Sequence, residues 1–209
     1  TSEWGVLAAH YDHLGYGAEG SLFRGDRSLH FGADDNASGV AAMLEVANRF
    51  TIDSPTNPIL WAAFSGEEKG LWGSNHFCKN ATIGLDSIKY MINLDMVGDK
   101  QLVLPIERYS LEYHPKLVRH LWDRAKEMGL DAFIGRVDYA IYDDHVPLNE
   151  IAGIPSIDLI DFKYPNSYAN FWHTMNDIPE NCSEESLGQV GDLMVDYIYN
   201  REGQNWSEN

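Results

Sequence analysis

Four short stretches of the chain are apolar almost without a break: Trp4 to Ala9, Ile59 to Phe64, Tyr90 to Leu94 and Ser156 to Ile160. Runs of this length without alternation predict strands covered on both faces, as in a parallel sheet. Between them the apolar positions recur at three- and four-residue intervals. Val40, Met43, Leu44, Ala47 and Phe50 predict one helix; Leu117, Leu121, Ala125 and Met128, following Pro115, predict a second. Leu187, Val190, Met194 and Ile198 predict a third, starting near Ser183 and ending before the polar tail REGQNWSEN, which is expected to fray. Asp161 to Asn170, DFKYPNSYAN, keeps neither period and reads as an irregular surface loop flanking a site.

Strands alternating with helices predict an α/β three-layer sandwich, a mainly parallel mixed sheet with helices on both faces. No repeat or low-complexity linker divides the 209 residues, so residues 1–209 read as a single domain. A first strand at Trp4 has no lead-in, which predicts that an N-terminal portion of the domain precedes it.

Composition narrows the function. The chain is 44% hydrophobic, as a globular protein is, and its 15 Lys and Arg against 32 Asp and Glu give a net charge of −17. That balance repels phosphate backbones and anionic membranes, so nucleic acid is not expected as a partner. No apolar run approaches the length of a transmembrane segment. Cys78 and Cys182 lack CxxC spacing, which argues against a zinc knuckle or redox motif and leaves open whether they pair or stay buried. The compartment is not read from these residues, with a secreted or periplasmic setting preferred. GYGAEG at Gly15 to Gly20 fits a dinucleotide fingerprint, but the residues after it carry no helical period, so that reading is set aside.

The chemistry stands at the downstream ends of the strands. LAAHYDH brings His10, Asp12 and His13; FSGEE brings Glu67 and Glu68; MINLDMVG brings Asp95, an acid inside an apolar run. FGADDNASG places Asp34 and Asp35 just before the first helix, and FWHTMND places His173 after the aromatic loop. In open α/β sheets ligands bind outside the carboxyl ends of the strands, so these side chains are expected on one rim. Histidines with several carboxylates suit zinc, and less well manganese or cobalt.

AAHYDHLG, FGADDNASGVAAMLEVA, FSGEEKGLWGS, INLDMVG and WHTMND, in this order from His10 to Asp177, resemble the zinc aminopeptidases with two co-catalytic metals, metallopeptidase family twenty-eight, and their animal-type glutaminyl cyclase relatives. The resemblance implies that His10 and Asp95 bind one zinc, Glu68 and His173 the other, and Asp35 bridges both. It implies Glu67 as the general base and a cis Asp35–Asn36 peptide. Asp12 is expected to accept the second ring N–H of His10, and Asp34 to be only a neighbour. The expected partners are peptides with a free N-terminus and an uncharged, apolar first residue. Asp144 and the spare oxygens of Glu67 would meet the amine, and Tyr142, Tyr164, Tyr168, Phe171 and above all Trp172 would wall the side-chain pocket.

The resemblance divides. Trp172 stands where the aminopeptidases often carry tyrosine, and YDDHVPL with WHTMND looks like the cyclases, in which an acid at the place of Asp144 bonds the catalytic carboxylates and one zinc suffices. HYDHLG, ADDNASG and the absence of an insertion after the paired glutamates favour the aminopeptidase. A catalytically inactive binding domain ranks below both, since all five ligands and the base are present. His13, His30, His76, His114, His120 and His145 read as structural or surface residues, with a substrate contact left open for His145.

Overall fold

The computed structural model describes residues 3–16, 29–52 and 54–200. Residues 17–28, which hold most of GYGAEG, and the tail 201–209 lie outside the described residues. At the centre is a parallel four-stranded sheet of β1 (Trp4–His10), β2 (Ile59–Phe64), β3 (Ile88–Asp95) and β6 (Ser156–Ile160) in the order β2-β1-β3-β6. All four expected strands are present. The two central ones each run one residue past the downstream end of the apolar run because His10 and Asp95 keep to the ladder, and β3 also starts two residues earlier, at Ile88.

The chain leaves β1 through α1 (Gly39–Arg49) to β2 on one side, and returns through α2 (Trp72–Asn80) to β3 on the other. These crossovers cover opposite faces of the sheet. On one face Leu7, Ile92, Leu94, Ile157 and Leu159 pack against α1, α4 (Pro115–Met128) and α6 (Glu184–Asn200). On the other, Val6, Ala8, Ala62, Phe64 and Met91 pack against Cys78 of α2 and against Leu148 and Ile154. Strands hemmed on both faces read as unbroken apolar runs for this reason. The reversal of direction also makes the β1–β3 gap the topological switch point, where the sheet opens a crevice at its carboxyl rim.

The three expected helices are α1, α4 and α6. Pro115 occupies the first turn of α4, where its missing N–H costs nothing, and Gly129 ends that helix in a left-handed conformation. Several elements were not legible from periodicity: α2, the short α3 (Arg108–Tyr113), the pair β4 (Leu104–Ile106) and β5 (Phe133–Val137), and the turn α5 (His145–Pro147). The expected irregular loop is partly ordered: β7 (Pro165–Asn166) and β8 (Ala169–Asn170) form a tight antiparallel pair after a cis Tyr164–Pro165 peptide. Both cysteines are free thiols. Among the described residues no helix is long and apolar enough to cross a membrane.

Candidate metal centre

Parallel pairing of β1 with β3 sets Ala8 opposite Asn93, so two residues further along, His10 and Asp95 end the strands side by side at the switch point. The segment between β1 and α1 brings in a third side chain. Gly32 turns the chain with φ of 62°, where a side chain would collide with His13 and with the Asp35 carbonyl. Asn36 then clamps the segment to the end of β3, donating to the Leu94 carbonyl at 2.8 Å and accepting from Gly39 N at 3.0 Å and Met96 N at 3.3 Å. The Asp35–Asn36 peptide is cis.

Two residues near this segment do more than the sequence suggested. Asp34 is no mere neighbour: its carboxylate accepts from Gly98 N at 2.7 Å and ties the segment to the loop after β3. Asp177, the last residue of WHTMND, accepts from the backbone N–H groups of Asp34 and Asp35 at 2.7 Å and 3.2 Å. A carboxylate held by two N–H groups of one turn fixes that turn, and here it fixes the aim of Asp35.

The result is two groups of donors whose ligand atoms lie within 4.8 Å of one another: His10, Asp35 and Asp95, and then Asp35, Glu68 and His173. Asp35 belongs to both. His10 Nε2 lies 3.2 Å from Asp35 Oδ1 and 3.3 Å from Asp95 Oδ1, while His173 Nε2 lies 2.9 Å from Glu68 Oε2 and 3.4 Å from Asp35 Oδ2. His10 Nε2, Asp95 Oδ1 and Glu68 Oε1 are nevertheless buried without a hydrogen bond. His10 Nδ1 is 3.1 Å from the Asp12 carbonyl and donates to it, so Nε2 is the ring atom that faces the two carboxylates, a position for a cation or a proton. Buried acceptors that converge without donors fit a divalent cation, and the nitrogen and oxygen set suits zinc. His173 itself has φ of 56°, and Met96, next to Asp95, has 49°, so strained backbone flanks both groups.

The electrostatics of these side chains point the same way. Burial, and after it the charge of Asp143, push Glu67 up to about 10. Burial raises Asp95 to about 7, with Asp143 and Asp35 adding to it against the pull of His10. Burial disfavours an imidazolium at His10, yet Asp95, Asp12 and Asp35 outweigh it and hold the ring far above the usual histidine range. Burial likewise opposes the charge on Asp35, which His10 and His173 keep well below the usual carboxylate range. Too many acids share too little positive charge.

Glu67 belongs to neither donor group. It and Glu68 follow β2, and the Asp12 carboxylate accepts from the backbone N–H of Glu67 at 3.2 Å and of Glu68 at 3.4 Å. This corrects the role expected of Asp12. The His10 ring nitrogen meets the Asp12 carbonyl, its carboxylate lies 3.8 Å away, and that carboxylate instead holds the paired glutamates.

Asp144 also differs from expectation. It is wholly buried, one oxygen accepting from Ser74 of α2 while Oδ2 makes no hydrogen bond; burial followed by Asp143 raises it to about 8. The preceding acid, Asp143, is the one whose charge bears on Glu67. His145 is fully buried, 3.3 Å from Glu107, which answers the question left open for it in favour of a structural contact. Of the expected wall residues, Trp172 stacks on His173 at 3.8 Å between ring centres and Tyr142 stands exposed, whereas Tyr164 is entirely in the core and Tyr168 projects into solvent.

The chain resembles known proteins along most of its length. The chain is 31% identical over 202 residues to aminopeptidase YwaD of Bacillus subtilis, covering 92% of this chain and 40% of that one. It spans less than half the length of the curated relatives it matches. Among solved structures, a zinc-dependent exopeptidase of Parabacteroides distasonis is similar with a TM-score of 0.86 and 30% identity, over 95% of this chain and 74% of that one. A glutaminyl cyclase of Bacteroides thetaiotaomicron is similar with a TM-score of 0.88 and 28% identity, over 96% and 74%. A family model for Peptidase family M28 matches residues 1–198, and the chain belongs to that family.

Proposed function

We propose that the chain is a zinc-dependent aminopeptidase that removes uncharged, apolar N-terminal residues from peptides, with Glu67 as general base. The observation that carries this reading is the sharing of Asp35 by two donor groups while Glu67 stands outside both. His10 and Asp95 would hold one ion, Glu68 and His173 a second, with Asp35 between them. Zinc bound there supplies a Lewis acid and positive charge that acidify a water and offset the crowded carboxylates. Glu67 takes the proton of the attacking water and returns it to the departing amine. Asp12 keeps the two glutamates apart in role, since its grip on both backbone N–H groups lets one carboxylate join a donor group while the other stays free. The Trp172 face, fixed by its stack on His173, offers an apolar wall for the first side chain, and Tyr142 a second surface.

The raised Glu67 and its acid neighbour Asp143 favour a second reading, which the likeness to glutaminyl cyclases also supports. There the α-amine of an N-terminal glutamine attacks its own γ-amide carbon, the ring closes and ammonia leaves. Glu67 carries the proton from the attacking amine to the departing nitrogen. Incubation with a leucyl peptide, its N-acetylated form and an N-terminal glutaminyl peptide separates the two. Release of leucine from the free peptide alone is expected; ammonia release from the glutaminyl peptide without cleavage would assign the chain to the cyclases. Equal cleavage of the free and acetylated peptides would falsify the exopeptidase reading.

A further inference from the structure

Behind the rim lies a buried polar cluster that the scheme above does not use. Asp143, His145 and Asp158 bring ligand atoms within 4.8 Å of one another, the same spacing as the two donor groups at the rim. The space between the acids is nonetheless filled by a donor. Asn93 Nδ2 gives one hydrogen bond to Asp143 Oδ2 at 2.7 Å and another to Asp158 Oδ1 at 3.1 Å. This is a hydrogen-bonded cluster, and its centre is Asn93.

The pairing is set by the sheet itself. Asn93 on β3 and Asp158 on β6 are directly opposed in the ladder, and Asn93, two residues before Asp95, leaves the strand on the same face. Asp143 receives its other hydrogen bond from the N–H of Asp144, so two contacts fix its carboxylate, one of them from Asn93. Asp158 has no exposed surface and its Oδ2 has no hydrogen bond, an arrangement that costs stability. An acid kept at such a cost, where its one engaged oxygen aims a neighbouring amide, is expected where function rather than folding sets the residue.

We propose that Asn93 and Asp158 are positioning residues that act on the rim through Asp143: Asp158 fixes the orientation of the Asn93 amide, and Asn93 fixes the Asp143 carboxylate. The inference rests on the reading of the rim as the site of reaction. With Asp158 replaced by an apolar residue the amide is free to turn and Asp143 loses its fixed orientation, while the metal donors keep their own supports from Asn36, Asp177 and Asp12.

The test is steady-state kinetics on the leucyl and N-terminal glutaminyl peptides, with zinc content and melting temperature measured on the same zinc-loaded samples. Asp158→Leu is expected to lower kcat about ten- to a hundredfold, with KM and zinc content unchanged and a melting temperature equal to or above wild type, since a buried acid is gone. Asp158→Asn, which keeps an oxygen for the Asn93 amide, recovers most of the loss. Asn93→Asp, which keeps the shape and removes both donor hydrogens, gives an independent measure of the same loss. In the double variant Asp143→Asn with Asp158→Leu, kcat is no lower than in Asp143→Asn alone. Wild-type kcat in Asp158→Leu, or losses that multiply in the double variant, overturns the inference while the functional reading stands. A wild-type protein inactive on both peptides overturns the functional reading, and this inference with it.

Discussion

At the rim, His10 Nε2 stands 3.2 Å and 3.3 Å from two carboxylates and makes a hydrogen bond to neither, whereas behind it Asp143 and Asp158 share the two hydrogens of one amide. Glu107 shows the second behaviour most fully. Its carboxylate accepts from Tyr109 N, Ser110 N, the Ser110 hydroxyl and Ile141 N, and lies against His145. Both regions are built from buried aspartate, glutamate and histidine. What separates them is what lies between the acids: at the rear Asp143 and Asp158 share the Asn93 amide, although Asp158 Oδ2 and both His145 ring nitrogens stay without a hydrogen bond, whereas at the rim the carboxylates converge on His10 and His173 with no such amide between them among the described residues. Residue type alone does not distinguish a metal centre from a polar core; whether a protein donor already stands between the converging carboxylates does.

The largest expected effect tests that incompleteness directly. Chelation should abolish peptide turnover and lower the melting temperature, with both restored by added zinc, because an ion bound only by the folded state stabilises it. A stripped protein that keeps full activity would end the comparison. Next comes Glu67→Gln, expected to reduce kcat by roughly two to four orders of magnitude while zinc content and fold persist, since Glu67 lies in neither donor group. Loss of zinc in this variant would move Glu67 into the donor set.

A smaller effect is expected at the support of the rim. Asp12→Ala removes the acceptor for the Glu67 and Glu68 backbone, and activity or zinc affinity should fall about ten- to a hundredfold; wild-type values in a zinc titration and a kinetic assay would show that the glutamates hold themselves. The smallest effect sharpens the rear of the comparison. Glu107 caps α3, so Glu107→Ala should cost about 1–2 kcal/mol in urea denaturation, with zinc content unaltered. A variant that loses zinc instead would show that the rear cluster is part of the metal centre.

Much of this was legible in the sequence, and for a physical reason. Strands walled on both faces must be apolar throughout, so His10 and Asp95, standing at the ends of such runs, announce themselves as exceptions. Asn93 and Asp158 are exceptions of the same kind, polar residues inside apolar runs, and that signal was available for the rear cluster. The choice between Asp143 and Asp144 was not legible: consecutive residues in a turn point in different directions, and which one faces Glu67 depends on how α5 seats against α2. Asp12 shows the same limit, because its carbonyl and carboxylate both lie near His10 and only three dimensions say which one meets the ring. Short elements such as β4, β7 and β8 carry too few residues for any period to show.

The donors of the rim come from five separate places in the chain, with His10 near its start and His173 far downstream. During synthesis, which proceeds from the N-terminus, the sheet and its first crossover helices can gather while the donor constellation is still one histidine short. The core is therefore the scaffold on which the rim is finished, and His173 stands on a loop downstream of every strand of the central sheet. A complete donor set is expected only once the four strands of the sheet are in hand, so that an ion would close an assembled scaffold rather than nucleate it.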